Sequence, residues 1–172
     1  VNWLITLKMH PRVLPKLDFK TEIPDEFKTM VVIPAMITNR EDIDSLIQQL
    51  ELHYLRNPEP GLLFALLTDF RDSETESQPE DIILVQYTKA AIEKLNRKYE
   101  IPFVDASIVL ENDKGQVEKN HEKVKSRFYF FHRKRLWNPS EGMWIGWERK
   151  RGKLYELNQL LRGKKELSFT TV

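Results

Sequence analysis

The chain has 172 residues, of which 41% are hydrophobic and 31% charged, with a formal net charge of +1. This is enough chain for one domain with its own core, and too nearly neutral to demand nucleic acid or an anionic membrane as partner. The absence of cysteine excludes disulfides, thiolate metal sites and a cysteine nucleophile, and no apolar run approaches the roughly 20 residues of a membrane span.

No signal peptide is legible, so the piece itself is expected to be soluble. Beginning on Val1 and stopping on Thr170-Thr171-Val172, it reads as an excised part of a longer protein.

Residues 1–28 read as an extended lead-in from a preceding membrane-proximal segment, with an apolar start (1–9) and then Pro11, Pro15 and Pro24. Thr29–Ile37 is a nearly continuous apolar, β-branched run, as expected of a strand buried on both faces of a parallel sheet. Pro34 lacks an N–H, so the strand is expected to end there. Thr38-Asn39-Arg40-Glu41 has capping-box spacing, and Ile43, Leu46, Ile47, Leu50 and Tyr54 continue at helical period.

Leu62–Leu67 reads as a second buried strand ending in Thr68-Asp69-Phe70, and Arg71–Gln78 as polar loop. Ser77-x-x-Glu80, with Pro79 at the first helical position, opens a helix carried by Leu84, Tyr87, Ala91 and Leu95. Residues 103–126 are an irregular, charged insertion with a hairpin turn at 112–115. Arg127–His132 is a third strand, and a helix from Lys153 to Arg162 closes on Gly163. Alternating strands and helices predict an α/β fold: a Rossmann-like, doubly wound, mostly parallel sheet.

In such sheets ligands bind beyond the carboxyl ends of the strands. Those ends are Pro34–Thr38, Thr68–Asp72 and His132–Trp137. Asp69 is either an acceptor for a nucleotide base or ribose, or a cap or turn aspartate; Asp72 and Ser73 read as turn residues. Between Arg127 and Lys165 eleven Lys/Arg residues stand against Glu141, Glu148 and Glu156, which suggests an anionic partner for this third.

Lys153, beside Gly152 at an expected helix start, suits a phosphate; the alternative is a solvated basic face. Asn158 reads as a mid-helix residue facing water or a neighbouring loop. Trp137, Trp144 and Trp147 offer flat faces to sugars or bases, or pin a loop onto the sheet. The four histidines lack metal-ligand spacing; His53 reads as helix surface and His132 as a strand end. No phosphate-binding P-loop or Ser-His-Asp arrangement is present.

Taken in order, Val31-Val32-Ile33-Pro34, Leu66-Leu67-Thr68-Asp69 with Asp72 and Ser73, and Gly152-Lys153 with Leu157-Asn158 resemble the first half of a family 2-type glycosyltransferase domain with the GT-A fold. More closely, Leu14-Pro15-Lys16-Leu17-Asp18-Phe19, Ile23-Pro24-Asp25-Glu26, Ala65 to Phe70, Trp137-Asn138-Pro139-x-Glu141-Gly142 and Gly146 to Lys153 are similar to the cyclic β-1,2-glucan synthases.

The resemblance implies that residues 29–172 are part of a nucleotide-sugar-binding domain. It implies a parent transferring glucose from UDP-glucose with inversion to a growing β-1,2-glucan. That parent would be a multidomain protein at the cytoplasmic face of a bacterial inner membrane. Pro34 and Asp69, with Asp72, would line the uridine pocket; Gly152, Lys153 and Asn158 would approach the diphosphate. A metal-binding Asp-x-Asp for Mg or Mn, and a general base, would follow beyond Val172, so the chain alone is expected to be inactive. The competing reading is a non-catalytic module binding RNA or phosphosugars through the basic, Trp-rich segment; a third is a purely structural docking domain.

Overall fold

β-Branched and apolar residues without a break make Thr29–Ile37 (β1) extended. It is the first strand of a four-stranded sheet in a computed structural model that describes Phe19, residues 22–99 and residues 126–171. The lead-in before residue 22 and the insertion at 103–126, with its turn at 112–115, lie outside these residues but for Phe19 and Ser126. Asn39, extended and accepting from the Asp42 amide, starts the helix Arg40–Arg56 (α1). Capping therefore falls on Asn39 with Asp42, not on the expected Thr38–Glu41 box.

Leu62–Phe70 (β2) follows, then the helix Asp81–Lys98 (α2) and Phe128–Arg133 (β3). α2 is helical from Asp81, two residues after Pro79, and the Asp81 carboxylate accepts from the Gln78 amide at its start. The Trp-rich stretch expected as loop contains a small hairpin, Leu136–Asn138 (β4) and Met143–Ile145 (β5). The last helix, Arg149–Leu161 (α3), starts four residues before the predicted Lys153, and Phe169–Thr171 (β6) ends the described chain. Gly163 leaves α3 at φ +87°, as a left-handed C-terminal residue must.

The sheet order is β1-β2-β3-β6, with the first three strands parallel and β6 antiparallel to β3. Registration runs unbroken from Thr29↔Leu62 to Ile37↔Phe70, through Pro34↔Leu67. β1 does not stop at Pro34 because among the described residues it is an edge strand, where a missing N–H deprives no neighbour. β2 likewise runs to Phe70, which brings Asp69 inside the strand rather than into the loop.

Side chains alternate between two helical layers. Leu50, Tyr54, Phe64, Leu66, Ile92, Leu95, Phe128 and Phe130 pack under α1 and α2. Ala65, Leu67, Phe131 and Leu157 pack under α3. A sheet advancing in one direction through right-handed crossovers puts α1 and α2 on one face, and α3 covers the other. This is the α/β, mostly parallel, Rossmann-like architecture that the pattern predicted. Among the described residues no helix is long and apolar enough to cross a membrane.

Candidate functional site

The alternation that builds the core also builds a cleft. Pro34 on β1, Asp69 on β2 and Arg133 on β3 point to the α3 face at the carboxyl ends of the three parallel strands. There the apolar layer under α3 gives way to charge. A cleft of 240 Å³ opens beside it, lined by Pro34, Asp69, Asp72, Arg149, Lys150 and Lys153.

Its floor is a buried ion network. The Arg133 guanidinium is fully buried and donates to both Asp69 oxygens, Nε to Oδ1 at 2.8 Å and Nη2 to Oδ2 at 3.0 Å. It also donates to Glu156 at 3.0 Å and to the Trp147 and Arg149 carbonyls at 3.2 Å. Burial by itself would lower the Arg133 pKa, but Asp69 and Glu156 outweigh it and raise it above the ordinary value.

The Lys153 amine donates to the Ala35 carbonyl at 2.6 Å and pairs with Asp69 Oδ2 at 3.0 Å. Burial pulls its pKa down against the opposing pull of Asp69. Glu156 accepts in turn from the Ser168 hydroxyl. One carboxylate thus serves two cations, so the floor is cationic overall until Glu156 is counted. The rim carries Lys150, exposed and without an ion-pair partner among the described residues, and Arg149, which joins Asp72 and Glu141 at 2.8 Å each.

Two glycines let this assembly close. A Cβ on Gly146 would lie 2.8 Å from the Asp69 carboxyl carbon. One on Gly152 would lie 1.9 Å from the Trp147 carbonyl oxygen. What approaches Gly152 is thus the backbone that caps Arg133, where the sequence reading gave the space to a diphosphate. Lys153, too, sits one turn inside α3 rather than at its start.

The other sequence candidates divide clearly. Pro34, Asp69, Asp72 and Lys153 come together in the cleft. Asn158 does not: its side-chain amide donates to the Leu154 carbonyl on the exposed face of α3. Trp144 is half-buried and pairs its backbone with Ser73, pinning the hairpin to the loop after β2. Trp137 and Trp147 are 50% and 43% exposed and line a separate cleft.

The basic run is largely neutralised, since Arg149 meets Asp72 and Glu141, Arg151 meets Glu148, and Lys153 meets Asp69. His132 is buried on the opposite face, its Nδ1 2.7 Å from the Thr68 hydroxyl and its Nε2 without a hydrogen-bond partner. Burial lowers its pKa to about 4.

Arg133, Gly146, Arg149, Lys150 and Glu156 escaped the sequence reading as site residues. For Arg133 a signal existed: it lies two residues after Phe131, on the same face, and a cation there must find a buried acid.

Among the described residues no group of three or more His, Asp or Glu side chains could hold a metal ion. The chain does contain one Asp-x-Asp spelling, Asp42-Ile43-Asp44, but it belongs to the first turns of α1. Asp42 accepts from Asn39 and Thr38, Asp44 accepts from the Tyr87 hydroxyl, and Ile43 is core. These residues do not fit the Mg or Mn of a transferase.

No family model matches the chain. Over 168 residues, 98% of its length, it is 40% identical to the cyclic β-(1,2)-glucan synthase NdvB of Rhizobium meliloti (strain 1021), and it spans 5% of that protein's length. The chain is related to that synthase and matches a small part of it, in agreement with the resemblance carried by the strand ends and the Trp-rich run.

Proposed function

We propose that this chain, kin to a small part of a cyclic β-(1,2)-glucan synthase, is the nucleotide-sugar-binding portion of a β-glucan synthase glycosyltransferase whose donor is UDP-glucose. The observation that carries the reading is the cleft at the carboxyl ends of β1 and β2, the position at which parallel α/β sheets take ligands. Its two lysines, one on the floor and one on the rim, are the complement of a diphosphate.

In this reading Pro34 forms an apolar edge against the uracil, and Asp72 at the rim accepts from a ribose hydroxyl. Lys150 and Lys153 face the diphosphate. Asp69 acts indirectly: held by Arg133, it fixes the Lys153 amine and opposes the lowering of its pKa by burial. Gly152 supports the floor through Trp147, and Asn158 takes no part.

Transfer with inversion needs a base to take the proton of the acceptor hydroxyl. It also needs a Lewis acid, Mg or Mn in such enzymes, on the leaving diphosphate. Both would come from the remainder of a membrane-bound parent, together with the glucan acceptor. Binding without turnover is therefore the expected behaviour of the chain alone. The nucleic-acid alternative loses support because Arg149 and Arg151 already have acidic partners.

The test is an amide chemical-shift titration with UDP and UDP-glucose. Shifts at Asp69, Lys150 and Lys153 support the assignment, and unmoved signals there overturn it. Lys150→Ala, which removes an exposed cation without an ion-pair partner among the described residues, should weaken binding while leaving the unfolding midpoint unchanged.

A further inference from the structure

Beside the nucleotide cleft lies a second one, of 530 Å³, on the outer side of the β4–β5 hairpin. Trp137 and Trp147, both half-exposed, line it together with Asn138, Glu141, Glu148 and Arg149. Large aromatic faces are costly to leave in water, and a concave apolar wall with a few placed polar groups is the usual form of a small-molecule site.

The polar groups are held in place before any ligand arrives. Asn138 accepts from the Ser140 amide, Glu141 is gripped by Arg149 at 2.8 Å, and Glu148 by Arg151. Trp137 stands opposite Trp144 in the hairpin register, their rings 5.8 Å apart, and Trp144 is bound through its backbone to Ser73.

Trp147 is fixed more strongly. Both Nη atoms of Arg133 bond its carbonyl at 3.2 Å. The two residues after it, Glu148 and Arg149, take positive φ of 47° and 45°. Two successive side-chain-bearing residues in the left-handed region are strained. The strain persists because the buried guanidinium holds both the Trp147 and the Arg149 carbonyls. Backbone strain over-determined in this way clusters at functional sites, and this turn carries Trp147.

Charge decides the class of ligand. The lining has Glu141 and Glu148 against a single cation, Arg149, whose charge Asp72 and Glu141 already share. A phosphodiester chain would meet carboxylates; a neutral polyhydroxylated ligand would meet stacking faces together with amide, carboxylate and guanidinium partners for its hydroxyls. Arg149 also lines the nucleotide cleft, so the two sites share a wall.

We infer that the Trp137–Trp147 cleft is a saccharide subsite that holds a glucose chain next to the donor cleft. Its identification as a β-1,2-linked chain rests on the proposed glucan synthase reading; the subsite itself rests on the two indoles and their polar lining.

The experiment uses the 172-residue chain, with sophorose (a β-1,2-linked glucose disaccharide), a short oligouridylate and UDP as separate probes. It follows the indole N–H signals of Trp137, Trp144 and Trp147. Sophorose should move those of Trp137 and Trp147. Trp137→Ala should weaken that response at least tenfold and leave UDP shifts at Lys150 untouched. No movement with sophorose, or movement with oligouridylate in its place, overturns the subsite. A silent UDP arm beside a positive sophorose arm overturns the donor cleft alone, so the two readings fail separately.

Discussion

Arg133 and Asp69 meet in a two-point ion pair across adjacent parallel strands, at 2.8 and 3.0 Å, with both side chains essentially removed from water. The pair joins the fold to the site. Through Arg133 it reaches Glu156 on α3 and the carbonyls of the Trp147 turn; through Asp69 it reaches Lys153 in the cleft. Removing one member of a buried pair strands the other's charge, at a cost of about 3–5 kcal/mol. Asp69→Asn should therefore lower unfolding free energy by about that much in urea titration. A double variant with Arg133→Met should recover part of the loss, and additive losses would show that the two residues are not coupled.

Gly152→Ala would ordinarily be expected to strengthen a helix by up to about 1 kcal/mol. Here the new methyl would stand 1.9 Å from the Trp147 carbonyl oxygen, so the helix or the turn must move. The expected outcome is a net loss of about 1–3 kcal/mol. Because the turn carries Trp147, its indole signal should shift as well; an unchanged midpoint and spectrum would refute the close approach.

His132 predicts an acid-sensitive stability. The unfolded chain takes up its proton near 6.5 and the folded chain near 4, because burial outweighs the pull of Asp69 and Asp81. Between those values the unfolded state binds more protons, so stability falls as pH falls through the window. The His132 contribution to the loss is about 3 kcal/mol at 1.36 kcal/mol per pH unit. His132→Phe should remove it. Unfolding curves of both proteins at pH 7 and pH 4 decide the matter, and parallel losses would exclude His132 as the cause.

The three hairpin tryptophans should separate in a stability measurement. Trp144→Ala removes a half-buried ring on the strand that bridges to Ser73, and should cost about 2–4 kcal/mol. Trp137→Ala removes a half-exposed ring and should cost under about 1 kcal/mol. Equal losses would mean that Trp137 is scaffold too.

The strands and helices were legible because their signals are local. Thr29–Ile37 and Leu62–Leu67 read as doubly buried strands from composition; both are strands, but only β2 is buried on both faces, while β1 is half-buried with Met36 exposed. The α1 helix read correctly from the spacing of Ile43, Leu50 and Tyr54. The misreadings were also local in origin. Pro34 seemed to end β1, since nothing in the chain says which strand lies at the edge. Lys153 seemed to start α3, since positive φ at Glu148 and Arg149 has no glycine to announce it. β6 and the β4–β5 hairpin are each three residues per strand, too short for a period to show.

Of the candidate site, Pro34, Asp69, Asp72 and Lys153 were named from strand ends and family likeness, and the tertiary structure gathers them into one cleft. Sequence by itself determined the layered α/β fold and the strand ends at which a ligand could be met, because periodicity and β-branching act over a few residues. Only the tertiary structure decided how the charges pair. Ion pairing depends on distances between residues more than sixty positions apart, such as Asp69 and Arg133, and linear spacing carries no record of them.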